Sequence, residues 1–83
     1  MAKNESLTVF TSEYAAGVIN NAQLLILDPS IPLTPTQREL FASRLTELLT
    51  GIYRREYDQT LILELAKAIR TKDVAILTSL LEK

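Results

Sequence analysis

The segment Leu33-Thr34-Pro35-Thr36-Gln37 constrains the fold more than any other part of the chain. A threonine followed at once by proline and, three positions on, by glutamine is a capping box with proline at the first helical position. The two polar side chains satisfy N–H groups that a helix start leaves without partners, and the ring of proline already holds a helical φ. A helix is therefore predicted to begin within a residue of Pro35. No breaker other than Gly51 follows before about Tyr57. At about 100° per residue, Phe41, Ala42, Leu45, Leu48, Leu49, Ile52 and Tyr53 fall on one arc, with Glu39, Ser43, Thr46, Glu47, Thr50 and Arg54 opposite. Such a helix has to bury its apolar arc against other elements.

Those elements are also helical in pattern. Residues 11–27 carry Tyr14, Val18, Ala22, Leu25 and Ile26 at helical spacing behind Thr11, a good N-cap. Asp28-Pro29 ends this helix, because proline disfavours helix in the residue before it. Pro29 and Pro32 stiffen the connector "DPSIPLT". Their spacing fits a minimal polyproline ligand, but that pattern is so permissive that a stiff loop is the plainer reading. Asp58 can cap a third helix with Leu61, Ile62, Leu65, Ala66, Ala68 and Ile69 inward. Asp73 can cap a short fourth with Val74, Leu77 and Leu81 inward. The expected fold is an all-α bundle of three longer helices plus a short C-terminal one, a single domain over residues 1–83 that self-association completes. Residues 1–10 are left open: Leu7 and Phe10 continue the first stripe, yet the β-branched content of "SLTVF" also suits an extended segment.

Composition narrows function by exclusion. The 83 residues include no histidine and no cysteine. A Ser-His-Asp or Cys-His arrangement, a thiolate metal site and a disulfide framework are therefore impossible. Gly17 and Gly51 stand alone, so there is no glycine-rich phosphate loop. Glu56 and Asp58 are two carboxylates without an oxygen-rich loop, and Lys67 falls on the polar side of its helix. The expectation is no enzyme, no cofactor and no metal. The longest apolar run is "LLIL", against the roughly 20 residues of a membrane span, and no signal-peptide pattern is evident. The reading is a cytoplasmic protein. Nine basic residues against ten acidic name no partner by charge alone.

The stretch "LTPTQRELF" resembles the way many helix-turn-helix regulators begin, and that resemblance covers nine residues. It implies a small DNA-binding regulator, the alternative reading here. The reading helix of such a motif follows a short first helix and a tight turn. This helix looks longer than twenty residues, and the next turn, "YRREYDQ", contains no glycine. Arg38, Arg44, Arg54 and Arg55 point in at least three directions, where phosphate contact wants one basic face. Nucleic acid is thus not the expected partner.

More informative is the apolar surface left over. Leu24 and Leu27 lie off the main arc of the first helix, Leu40 off that of the second, Leu63 off that of the third, and Ile76 on the outer side of the last. Either helix-end packing covers them or they form a protein interface. Gln37, Leu40, Arg44, Gly51 and Arg55 line one edge of the second helix beside Leu48, and we take them as candidate interface residues. A glycine inside a helix costs about 1 kcal/mol relative to alanine. That cost asks for a reason: close approach by another helix, with Arg44 and Arg55 flanking it to meet carboxylates, or a mere bend. Asn21 projects into the apolar side of the first helix, where it either fixes register or reaches water. The expected function is a non-enzymatic interaction protein, an adaptor, inhibitor or assembly factor that binds another protein and itself through a helical face. Its profile is similar to that of small inhibitors encoded by phages and mobile elements, with no motif that identifies such a family.

Overall fold

A computed structural model of the chain describes residues 11–82, which form helices α1 (Ser12–Leu27), α2 (Pro35–Tyr53), α3 (Gln59–Thr71) and α4 (Val74–Leu81), with no strand among the described residues. The fold is all-α, as expected. The open question about residues 1–10 lies outside the described residues.

Each helix starts on the side chain that the sequence marks for it. Thr11 Oγ1 accepts from the Tyr14 N–H at 3.0 Å. Thr34 Oγ1 accepts from the Gln37 N–H at 3.0 Å while Gln37 Oε1 accepts from the Thr34 N–H at 2.9 Å, so the capping box is complete. Asp58 Oδ1 takes the Thr60 N–H at 2.9 Å, and Asp73 Oδ1 takes the Ile76 N–H at 3.1 Å. Caps of this kind are worth about 1 kcal/mol each.

The helices form a ring. α1 packs on α2 and α3, α4 packs on α3 and α2, and no Cα of α2 comes within 8 Å of one of α3. The core fills the centre of the ring: Ile19 and Ile26 from α1, Phe41, Leu45 and Ile52 from α2, Ile62 and Leu65 from α3, Leu77 and Leu81 from α4. Each of these fully buried side chains contributes about 1.5–3 kcal/mol of transfer free energy. Ala15 and Ile19, outside the expected stripe of α1, are also fully buried. α4 has eight residues and α2 nineteen, so α4 covers only part of one side of α2.

The connector is more than a stiff link. Ile31 and Leu33 are buried in the core, which no periodicity in "DPSIPLT" announces. Asp28 Oδ1 accepts from the Ser30 N–H at 2.9 Å and the Ser30 hydroxyl at 2.8 Å. These two bonds, the backbone one first, hold the Asp28 carboxyl below its ordinary range, and Lys72 and Arg38 add a smaller attraction. From α2, the Arg38 guanidinium donates to three carbonyls of the same bend: Ile26, Asp28 at 3.2 Å and Ile31 at 2.6 Å. One side chain thus ties the end of α1 and its loop to the start of α2.

The second helix ends earlier than the pattern suggests, at Tyr53 and not near Tyr57. Arg55 adopts the left-handed conformation, φ 61°. The Glu56 N–H then bonds the Gly51 carbonyl at 2.7 Å and the Arg55 N–H the Ile52 carbonyl at 3.0 Å. This double closure is a Schellman motif, formed here without glycine at the left-handed position. It also explains Gly51. A Cβ built there would lie 2.6 Å from the Glu56 carbonyl oxygen, so the close approach comes from the chain's own turn and not from another helix. Tyr53, expected on the buried arc, is 73% exposed, because the chain leaves the helix at that residue.

Candidate interaction surface

The edge of α2 that faces α4 can be followed residue by residue. At its start, Gln37 Nε2 donates to Glu82 Oε2 at 3.3 Å, just beyond the end of α4. Leu40 follows, 39% exposed. Arg44 comes next, its Nη1 lying 3.6 Å from Glu47 Oε1, with the two side chains 39% and 68% exposed. That contact is a loose one-turn pair on the same helix. Among the described residues, the Nε of Arg44 is the buried side-chain nitrogen or oxygen without a hydrogen-bond partner.

Beside this edge runs a groove of about 380 Å³ between α2 and α3, with the last turn of α4 as its floor. Arg44, Glu47 and Leu48 line it from α2, Asp58 and Leu61 from the start of α3, and Leu80 and Leu81 from α4. It exists because the backbones of α2 and α3 stay apart, with no Cα pair within 8 Å, and α4 is too short to fill the space between them. Leu48 and Leu80 are only partly buried, so the groove offers apolar contact flanked by one cation and two carboxylates. Sequence periodicity gives no sign of it, since it depends on how three helices meet.

Of the five residues predicted to share an edge, Gln37, Leu40 and Arg44 stay together. Gly51 lies on the same side but serves the turn that closes α2. Arg55 has left the helix for that turn, so helical spacing no longer carries it along the edge. The other surplus side chains are placed differently. Leu24, Leu27 and Leu63 are exposed, whereas Ile76 is half-buried against the core. Asn21 is exposed at the rim of a shallow cleft with Tyr14, Val18, Ala66, Ile69 and Arg70, so it reaches water. Among the described residues no group of three or more Asp or Glu could hold a metal ion, and no helix is long and apolar enough to cross a membrane.

Comparisons of the chain with family models, with curated proteins and with solved structures find no match.

Proposed function

We propose that the chain is a non-enzymatic interaction protein, an adaptor, inhibitor or assembly factor of the cytoplasm, which presents the α4-facing edge of α2 to another protein. The observation that carries this is the buried Arg44 Nε without an acceptor, next to the exposed Leu40 and the open groove. A buried donor left unsatisfied costs about 1–3 kcal/mol, more for a charged group, and a carboxylate or carbonyl from a partner removes that cost once the partly exposed side chain turns outward to meet it. The apolar lining supplies contact area, and Arg is favoured at such sites for its forked donor geometry. Leu24 and Leu27 are more exposed than Leu40, but exposed leucines without a polar group to match need no partner to explain them.

The test is site-specific photo-cross-linking in native host cells. A photoreactive residue replaces Leu40, and a control replaces the exposed Glu39, about 100° further round the helix. The expected result is a discrete protein adduct from position 40 and none from position 39. No adduct from position 40, or equal adducts from both, would end this reading. Salt-sensitive duplex binding that weakens in the Arg54→Ala/Arg55→Ala double variant would favour the DNA-binding alternative instead.

A further inference from the structure

We infer that the partner taken by this edge is a second copy of the chain, its α2 antiparallel to the first, so that Arg44 of each copy meets Glu47 of the other. The inference rests on the reading of this edge as an interaction face and names its occupant.

A two-fold interface uses the same patch on both subunits, so the patch must be complementary to itself. This one is. Arg44 and Glu47 lie one turn apart on one side of α2 with opposite charges. A two-fold axis midway between them, perpendicular to the helix, sets Arg44 opposite Glu47 of the second copy and Glu47 opposite its Arg44. Both juxtapositions attract. A parallel pairing would set Arg44 against Arg44 and Glu47 against Glu47, which is strongly unfavourable at close range.

The bonding capacity agrees. Within the chain, Arg44 uses Nη1 on a carboxylate at 3.6 Å, beyond ordinary hydrogen-bond length. Its buried Nε keeps its hydrogen unpaired. Glu47 is two-thirds exposed and has lone pairs to spare. The buried Nε has almost no exposed surface, so a carboxylate arriving from the second copy meets the part of the guanidinium that reaches solvent, and a turn of the side chain outward lets it bind with the short, charge-assisted geometry that the internal pair lacks. A foreign partner would need only one sign of charge here, whereas two opposite charges disposed about one point suit a second copy.

Sedimentation velocity on the full chain tests this, using wild type, R44E, E47R, the double swap R44E/E47R and a one-to-one mixture of the two single variants. Far-UV circular dichroism checks that helicity is kept, as it should be for two partly exposed residues. The wild type is expected to dimerise. R44E gathers four carboxylates about the axis and E47R four guanidinium groups, so each alone should weaken association by more than about tenfold. Mixing the two singles restores both attractive pairs, as does the double swap, and both samples should dimerise again. A wild type that stays monomeric overturns the second copy as occupant, and position-40 cross-linking to a foreign protein would then show that the interaction face itself stands. A dimer indifferent to both single changes places self-association elsewhere. Single variants that dissociate without recovering on mixing overturn the antiparallel register.

Discussion

Arg38 and Arg44 lie on the same helix, and the chain treats them differently. Arg38 faces the end of α1, where a finished helix and its bend present carbonyls with no helical partner, and its guanidinium donates to three of them. Arg44 faces α4, whose last turn is already engaged elsewhere through the Gln37–Glu82 bond, and it is left with a loose contact to Glu47 and a buried Nε without an acceptor. Two arginines of equal charge thus do different work. What separates them is the supply of acceptors within the chain: where it is complete the residue ties elements together, and where it falls short a donor is left unpaired.

The sharpest way to break this contrast is Arg38→Ala. Charge-assisted hydrogen bonds are lost and the Ile26 carbonyl loses its donor, while the Asp28 and Ile31 carbonyls keep the N–H groups of Ile31 and Leu33, so stability by urea titration should fall by about 2–3 kcal/mol. Arg38→Lys should recover only part of it, since an ammonium cannot reproduce the planar fork. Gly51→Ala comes next. In an ordinary exposed helix this change gains about 1 kcal/mol, but the Glu56 carbonyl stands where the Cβ would go, so a loss of about 1–2 kcal/mol is expected. A gain would mean that the turn does not press on the helix as described. Arg55→Gly relieves a left-handed side-chain residue and should raise stability by up to about 1 kcal/mol, and Lys72→Gly should do the same at the end of α3. Smallest is Arg44→Ala, where in the dilute monomer the relief of an orphaned donor offsets the loss of a loose pair and of the side chain's packing, so stability should fall by no more than about 0.5 kcal/mol. If it costs as much as Arg38→Ala, the two arginines are alike and the contrast fails.

The same division shows how far the sequence could be read. Helix starts were legible because an N-cap is a local device, one oxygen reaching an N–H two or three residues on, and Thr11, Thr34, Asp58 and Asp73 all act that way. Helix ends were not. α2 and α3 both stop on a basic residue in left-handed conformation, Arg55 and Lys72, where the recognisable signal would be glycine. The burial of Ile31 and Leu33 depends on where a loop of no periodicity comes to rest, and the role of Arg38 on carbonyls of a different element. The candidate edge was partly legible: angular position keeps Gln37, Leu40 and Arg44 together as long as the helix lasts, and Arg55 is lost where it stops. Glu47 was read as merely opposite the apolar arc, and only its contact with Arg44 brings it to the edge. The groove, and the orphaned nitrogen beside it, needed three helices in place.

A dilution series followed by amide NMR separates the two arginines in one experiment. Shifts along Gln37, Leu40, Arg44, Glu47 and Gly51 and over Leu80 to Glu82 should change with concentration, while the bend clamped by Arg38 stays still. Spectra independent of concentration, or changes centred on Leu24 and Leu27, would contradict that separation.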